Sequence, residues 1–259
     1  MNILQVIVNQ KKVEIEAAKS KTSVEQLKNM PLFKRSAISM SENIRSADSS
    51  GIIAEFKRHS PSKKWINQYA DPVEVVSAYA NAGAAGSSVL TDEQFFKGSL
   101  DDFSAVRKAV EIPLLRKEFI VDPYQVYESK AYGADTILLI AAILTPKEVG
   151  QMTELAHELN MEVLLELHTE DELGHVHSEV DMVGINNRDL KTFKVDIEQS
   201  ARMAEKINVK IIKIAESGID SLETINYFKG FGFDGFLIGE RFMRSDDPGE
   251  SFKKFINSI

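Results

Sequence analysis

The chain has 259 residues, of which 43% are hydrophobic and 27% charged, the balance of a globular protein that buries a core. Its net charge of −8 argues against nucleic acid and anionic membranes as partners, because both attract basic proteins. The absence of cysteine excludes disulfides, thiolate nucleophiles, iron–sulfur clusters and cysteine-ligated zinc.

The first segment, residues 1–48, is predicted to be helical. Apolar Ile3, Ile7 and Ile15 recur in it at helical spacing among Lys and Glu residues. It starts MNILQVIVNQKK, which lacks the basic lead and the small-residue cleavage site of a secretory signal. We therefore expect a cytoplasmic protein.

From Gly51 onward, short runs rich in Ile, Val and Leu alternate with segments of helical periodicity. Between the runs, helix signals open on Asp or Thr beside Pro, as in DPVEVVSAYANAG, DPYQVYESKAYG and TPKEVGQMTELAHELN. The longest apolar run, ILLIAAIL, is far shorter than the roughly 18 residues that indicate a membrane span. The predicted strands are IIAEF, SSVLT, PLLRK, TILLI, EVLLEL, MVGI, KIIKIAE and GFLIG.

Eight strand–helix units, with strand starts about 26 residues apart, predict an α/β fold, a single (β/α)8 TIM barrel over residues 49–259. An open, doubly wound sheet is the competing arrangement. We favour the barrel because it leaves no exposed strand edge. Residues 1–48 are expected to add N-terminal helices that pack on the barrel within one domain, covering its bottom or bordering its active site.

Charged or amide side chains occur at the ends of five predicted strands. Because successive side chains of a strand point to opposite faces, those in phase with the inner apolar residues point into the barrel. Burying several charges costs several kcal/mol each unless they are paired or used, so we predict an active site at this C-terminal rim. The residues are Glu55, Lys57, Lys117, Glu166, Asn186, Arg188 and Glu216.

A phosphate site is predicted beside these charges. AESGID places Ser217 and Gly218 just past the seventh strand, and LIGERF places Gly239 and Glu240 just past the eighth. Loops at these two places commonly bind phosphate through backbone N–H groups. Each dipeptide by itself is weak evidence, since it is more often only a turn.

Several motifs, in order, resemble those of the indole-3-glycerol phosphate synthase family of tryptophan biosynthesis. They are IIAEFKRHSPSK, SVLTDEQFFKGSL, LLRKEFIVDPYQ, ILLIAAIL, LLELHTEDEL, VGINNRDLKTF, IAESGI and FLIGERFM. The resemblance implies a carboxy-lyase that converts 1-(2-carboxyphenylamino)-1-deoxy-D-ribulose 5-phosphate to indole-3-glycerol phosphate, carbon dioxide and water. It implies neither a cofactor nor a metal, and it implies a small sugar phosphate as the substrate that the protein binds.

The resemblance also implies residue roles. Lys117 would be the general acid of ring closure and Glu166 the acid or base of dehydration, with Glu55 keeping the lysines charged. Lys57 would hold the substrate carboxylate or phosphate and is, with Lys117, a candidate acid for the second step. Asn186 would hydrogen-bond substrate hydroxyl or carboxylate groups. Substrate would also contact Arg188, Phe119 and Glu216, and phosphate would contact Lys57, Ser60, Ser217, Gly218, Gly239 and Glu240.

Two stretches depart from the family's usual pattern, at residue 64 and at residues 241 and 242. Lys64 stands where Gly is usual, and Arg241 and Phe242 stand where small or aliphatic residues are usual. We expect Lys64 to stiffen the first loop or to add positive charge near its mouth. The pair at 241 and 242 is expected to reshape the phosphate loop without removing its backbone donors.

The histidines between residues 157 and 177 do not follow the spacing of metal ligands, so we expect them on the surface or packed against helices. His168 is the exception, because it lies just past Glu166 near the rim.

Two alternative functions differ from this one in the residues that they require. Phosphoribosylanthranilate isomerase is a related barrel, but its family relies on a cysteine base that this chain lacks. A non-catalytic phosphate-binding subunit would be expected to lose its acid and base groups, which are present here. We expect a monomer or a weak homodimer.

Overall fold

The computed structural model describes residues 3–189 and 192–258. In this part of the chain, eight parallel strands close into a barrel, because the first strand pairs with both the second and the eighth. The predicted (β/α)8 barrel is therefore confirmed and the open sheet is excluded. The barrel strands, here numbered first to eighth, are Ile52–Phe56, Gly86–Leu90, Leu114–Lys117, Thr136–Ile140, Glu162–Leu167, Met182–Asn186, Ile212–Glu216 and Gly235–Ile238.

Helices alternate with the strands and cover the outer face of the barrel. Asp71, Asp122 and Thr145 begin three of them as predicted, each accepting hydrogen bonds from backbone N–H groups of the first turn. None of the described helices has both the length and the apolar character needed to cross a membrane. The α-helices are Ile3–Lys21, Val24–Lys28, Met40–Arg45, Pro72–Asn81, Glu93–Phe96, Leu100–Ala109, Pro123–Ala131, Pro146–Glu158, Ile197–Lys206, Leu222–Gly230, Glu240–Met243 and Pro248–Ile256, with 3₁₀ turns at Ala141–Ile143 and Glu170–His175.

The two faces of the strands pack into separate apolar clusters. Ile53, Leu115 and Leu164 belong to the cluster inside the barrel. Ile52 and Phe56 belong to the larger cluster between the strands and the helices. This alternation is the one predicted from the two-residue period of a strand, and it fixes which polar side chains reach the interior.

The N-terminal extension closes the bottom of the barrel. Met40 and Ile44, on the helix Met40–Arg45, are buried in the inner cluster. Glu162, the first residue of the fifth strand, accepts hydrogen bonds from the backbone N–H of Met40 at 2.8 Å and of Ser41 at 3.0 Å. The carboxylate therefore caps the N-terminus of this helix and anchors it beneath the strands.

The same extension also reaches the opposite rim. On the first helix, Lys11 is buried and its Nζ lies 3.0 Å from both Asp92 and Glu118, which follow the second and third strands. Near the other end of that helix, Lys19 Nζ donates to Asp122 at 2.8 Å. The extension thus contacts both ends of the barrel, the two places considered for it from the sequence.

Candidate active site

A cavity of about 740 Å³ opens at the carboxyl ends of the strands, a size typical of sites for small molecules. The residues that the sequence assigned to catalysis, substrate and phosphate all line it, so the structure brings the whole predicted set together. They are Glu55, Lys57, Ser60, Lys117, Phe119, Glu166, Asn186, Arg188, Glu216, Ser217, Gly218, Gly239 and Glu240.

Lys117 lies between two carboxylates inside the rim. Its Nζ donates a hydrogen bond to Oε2 of Glu166 and lies 3.2 Å from Oε2 of Glu216. Glu216 has room for its side chain because residue 184 is glycine: a Cβ at Gly184 would lie 2.1 Å from Oε1 of Glu216. The third, fifth, sixth and seventh strands therefore cooperate to build this charged cluster.

Burial and neighbouring charges set the protonation of the cluster. Burial would lower the pKa of Lys117, but the surrounding carboxylates outweigh it and hold that pKa above its usual value. Burial would raise the pKa of Glu166, but Lys117 holds it well below its usual range. Burial raises the pKa of Glu216 to about 8 despite the attraction of Lys117. At neutral pH a cationic acid and an ionised base therefore lie side by side.

The first strand contributes a second ion pair. Lys57 donates to Glu55 Oε1, and Glu55 is buried while Lys57 is partly exposed to the cavity. The backbone of Gly239 lies against this pair, since a Cβ there would be 2.7 Å from Oε1 of Glu55. A glycine assigned to phosphate binding thus also makes space for Glu55.

Polar contacts continue from the acid–base pair toward the eighth strand. Asn186 Nδ2 donates to Glu166 Oε1 at 3.3 Å, and Asn186 Oδ1 accepts from the backbone N–H of Arg188 at 3.0 Å. Arg188 Nη2 in turn donates to Oε2 of Glu240 at 3.1 Å. Asn186 and Arg188 are held in one wall of the cavity by these bonds.

The loop after the seventh strand has an unusual backbone. Ser217 and Gly218 have φ angles of 65° and 69°. A non-glycine residue in this left-handed region is uncommon, and such strain often marks a functional site. Asn187 Nδ2 donates to the carbonyl of Ser217 at 2.6 Å, a contact that holds the loop in place. The strained backbone supports a functional role for this loop beyond that of an ordinary turn.

Sequence reasoning missed two cations beside Glu240, at the end of the cavity where the phosphate was predicted. Arg244 donates to Oε1 of Glu240, and Lys63 Nζ lies 3.8 Å from the same oxygen. With Arg188, three cations therefore surround one carboxylate. The four-residue spacing of Glu240 and Arg244 was an available signal for the first contact. Lys63 gave no such signal, because it lies in a different loop.

The cavity has an apolar wall, of which the sequence predicted only Phe119. Phe119 lines the cavity as expected, and its ring contacts that of Phe96 at a centroid distance of 5.9 Å. Ile3 and Ile7 of the first helix also line the cavity. The sequence placed these isoleucines on one helix face but did not identify what that face contacts. The FF pair in DEQFFK was the signal for Phe96.

The departure at Lys64 has a conformational explanation. Residues 59–65, predicted as a loop, form a short antiparallel hairpin in which His59–Ser60 pairs with Lys64–Trp65. Lys64 has a φ of 56°, in the left-handed region that favours glycine. The side chain is exposed. Lys64 therefore adopts a backbone conformation in which the family's usual glycine is less strained.

The side chains at residues 241 and 242, the second departure from the family's pattern, point in opposite directions. Phe242 is fully buried and packs on Tyr79 and Phe252, away from the cavity. Arg241 lines the cavity and donates to the carbonyl of Asp220. Of the two residues, only the arginine is therefore placed to alter the loop predicted to bind phosphate.

His157 and His175 make structural contacts, as the sequence suggested, and His168 is the exception. His157 Nε2 lies 2.9 Å from Asp181, and His175 Nε2 lies 2.9 Å from the carbonyl of Leu144. His168 is buried with Nε2 3.0 Å from Oε1 of Glu166. Across residues 3–189 and 192–258, no group of three or more His, Asp or Glu side chains is arranged to hold a metal ion.

Sequence comparison gives a single family over nearly the whole chain. The model of the family described as indole-3-glycerol phosphate synthase matches residues 4–255. An indole-3-glycerol phosphate synthase of Bacteroides thetaiotaomicron is 46% identical, over 100% of this chain and 99% of the relative. One of Prochlorococcus marinus is 43% identical, over 100% of this chain and 90% of the relative.

Solved structures with the same architecture are more distant in sequence. The tryptophan synthase subunit alpha of Legionella pneumophila has a TM-score of 0.61 at 13% identity, covering 85% of this chain and 97% of that one. The N-acetylmannosamine-6-phosphate 2-epimerase of Clostridium perfringens has a TM-score of 0.59 at 17% identity, covering 86% and 97%. At this identity the likeness concerns the fold alone.

Proposed function

The chain belongs to the indole-3-glycerol phosphate synthase family, and we propose how its rim of charges carries out the family's reaction. The activity is the conversion of 1-(2-carboxyphenylamino)-1-deoxy-D-ribulose 5-phosphate to indole-3-glycerol phosphate, carbon dioxide and water, in tryptophan biosynthesis. The reaction needs a group that protonates the ribulose C2 oxygen and a group that later removes a proton.

Lys117 serves as the acid of ring closure. A ring carbon of the anthranilate attacks the C2 carbonyl, and protonation of the carbonyl oxygen makes that carbon more electrophilic. The carboxylates around Lys117 keep its pKa raised, so Nζ carries the proton at neutral pH. Glu55 adds to this effect from the first strand while pairing with Lys57.

Glu166 serves as the base of the last step. Loss of carbon dioxide restores the aromatic ring, after which the C2 hydroxyl leaves as water and a proton leaves C1. The lowered pKa of Glu166 keeps it ionised and able to accept that proton. The leaving hydroxyl is protonated by Lys117 or Lys57, both of which line the cavity. Asn186 hydrogen-bonds Glu166 and is placed to bind a substrate hydroxyl.

The remaining residues bind the two ends of the substrate. Phe119 packs on the anthranilate ring, Arg188 and Glu216 orient the substrate, and Lys57 holds its carboxylate. The strained loop beside Arg188 supports a phosphate site at the far end of the cavity. The proposed phosphate ligands are Ser60 and, mainly through backbone N–H groups, Ser217, Gly218, Gly239 and Glu240; Lys57 contacts the phosphate as the alternative to the carboxylate.

The contact of Lys117 with Glu166 and Glu216 inside the cavity is the observation that carries these roles. The test mixes the purified protein with the substrate in the absence of added metal and follows indole fluorescence. We expect turnover by the parent protein. For Lys117→Met, we expect kcat to fall by about 10²–10⁴, the usual contribution of a positioned acid, with substrate binding still measurable.

A second buried lysine supplies the control. Lys130 lies near the bottom of the barrel, where its Nζ donates to the carbonyl of Arg35 at 3.0 Å. Lys130→Met should keep kcat in the folded protein. A parent protein without indole formation would refute the activity, and a Lys117→Met variant with near-normal kcat would refute the role of the lysine.

We further propose that the protein acts in the cytoplasm as a monomer or weak homodimer, with residues 1–48 and 49–259 unfolding as one domain. The contacts of Lys11 at the rim and of Met40 at the bottom support the single domain. Light scattering measures the oligomeric state. Urea unfolding followed by both circular dichroism and Trp65 fluorescence should give one transition, and two separate transitions would refute a single domain.

A further inference from the structure

His168 contacts the proposed base, Glu166, from outside the cavity lining. It lies two residues after Glu166, so both side chains share the inner face at the end of the fifth strand. Its Nε2 lies 3.0 Å from Oε1 of Glu166, whereas Lys117 holds the other oxygen. His168 does not line the cavity, so it contacts the base without contacting the substrate.

The environment of the ring differs from that of a histidine used only for packing. Both ring nitrogens are buried, and neither makes a hydrogen bond of good geometry; the second carboxylate, of Glu172, lies 4.0 Å from Nδ1. A buried polar group without a good partner is costly, and an apolar side chain would avoid that cost. Hydrogen bonds at catalytic sites are often poorly aligned until substrate binds. The closest acidic contact is the Glu166 oxygen.

We propose that His168 is a positioning residue for Glu166: it fixes Oε1 of this carboxylate and favours its ionised form. This inference rests on the proposed role of Glu166 as the base. When Glu166 accepts a proton from the substrate, the ring remains beside it and restores the same orientation for the next turnover.

The charges around the ring support a cationic His168. Glu166 faces it from the fifth strand, Glu172 from the 3₁₀ turn Glu170–His175, and Glu216 from the seventh strand. Burial would lower the pKa of His168, but these carboxylates raise it overall. Lys117 is the opposing cation, and it lies on the other side of Glu166.

Two substitutions separate charge from hydrogen bonding. His168→Leu removes both, and His168→Gln keeps an N–H donor without the charge. We expect His168→Leu to lower kcat about tenfold with KM within about twofold, a fraction of the 10²–10⁴ that an acid–base group contributes. His168→Gln should recover most of that loss. In both variants, the acid limb of kcat/KM should move about half a pH unit or more upward, because the cation that favours ionised Glu166 is gone.

His157→Gln is the matched control, because it removes a histidine–carboxylate contact of similar length, 2.9 Å, on the surface. It should leave kcat and the acid limb unchanged. The proposal is overturned if His168→Leu keeps the parent's kcat and acid limb, or if His168→Gln is no better than His168→Leu. If the leucine variant does not fold, an unmoved acid limb in His168→Gln overturns it. An active Glu166→Gln variant would instead show that the role of Glu166 itself is wrong.

Discussion

Two buried carboxylates at opposite ends of the barrel have opposite environments. Asp135, before the fourth strand, is paired with Arg35 and Arg107 and accepts backbone hydrogen bonds from Ile38 at 2.7 Å and Leu114 at 2.8 Å. Glu216, at the end of the seventh strand, is equally buried, yet its Oε1 has no hydrogen-bond partner.

The two environments correspond to two roles, one in stabilising the fold and one in binding or catalysis. A carboxylate whose lone pairs are all used, as in Asp135, holds segments together and is not available to a ligand. At Glu216, a residue that lines the cavity, a buried oxygen without a hydrogen-bond partner accompanies a raised pKa, a combination typical of functional sites. The N-terminal end of the barrel thus stabilises the fold, and the C-terminal end retains unsatisfied polar groups.

Asp135→Asn tests the stabilising role of the carboxylate at the bottom of the barrel. The change leaves the buried guanidinium of Arg107 without its countercharge, so we expect the free energy of unfolding to fall by about 3–5 kcal/mol. Urea denaturation measures the loss, and kcat of the folded fraction should stay near that of the parent. Asp181→Asn, at a partly exposed carboxylate, should cost about 1 kcal/mol or less. Equal losses of stability in the two variants would contradict the stabilising role of Asp135.

The fifth strand carries a carboxylate at each end, so the roles of the rim and of the bottom can be tested on a single strand. Glu166→Gln at the rim should lower kcat by about 10²–10³, because it removes the proposed base, and should also lower the free energy of unfolding, because buried Lys117 loses that countercharge. Glu162→Gln at the bottom should keep kcat and lower the free energy of unfolding by about 1–2 kcal/mol, because it weakens the helix cap. Steady-state kinetics and urea denaturation of both variants decide, and an active Glu166→Gln would contradict the role.

The raised pKa of Glu216 predicts a pH dependence of stability. Between about pH 4.5 and about 8, the folded protein holds a proton on Glu216 that the unfolded chain lacks, so its free energy of unfolding falls as pH rises through this window. Glu216→Gln lacks this contribution. We expect the variant to be more stable than the parent by about 3 kcal/mol at pH 7, with a smaller difference near pH 5. A difference that stays constant with pH would contradict the raised pKa.

The smallest expected effect is that of Lys64→Gly in the hairpin. Glycine adopts a φ near 56° without strain but gains entropy in the unfolded chain, so the free energy of unfolding should change by less than about 1 kcal/mol. Thermal denaturation measures this change. Lys64→Ala is the control, because it keeps the strain and removes the charge. If the alanine variant were as active as the parent but the glycine variant were not, stiffness of the loop rather than charge would matter.

The barrel and its rim were predictable because they depend on local patterns. The two-residue period of a strand, read with the apolar residues of its inner face, placed Glu55, Lys117 and Glu216 correctly in the cavity. All eight strands were likewise predicted from short apolar runs at regular spacing. Both inferences need only neighbouring residues, and the strong burial of strands in a closed barrel makes the pattern clear.

The features that were missed depend on contacts between distant parts of the chain. Lys11 resembles an exposed helix lysine in sequence, and only the fold brings it to Asp92 and Glu118. In the hairpin ending at Trp65, the position with a left-handed backbone is Lys64, whereas a glycine there would have indicated the hairpin in the sequence. The roles of the rim residues themselves came from family resemblance, because geometry alone does not identify a substrate.

Gly184 limits how relatives of this chain can change. A Cβ at this position would lie 2.1 Å from Oε1 of Glu216, so a side chain there would require the Glu216 carboxylate to move. An ancestor that lost the carboxylate would be free to acquire alanine at 184, and a carboxylate that then returned would have to take an orientation different from the one seen here. Space therefore couples the two positions, in addition to any constraint from catalysis.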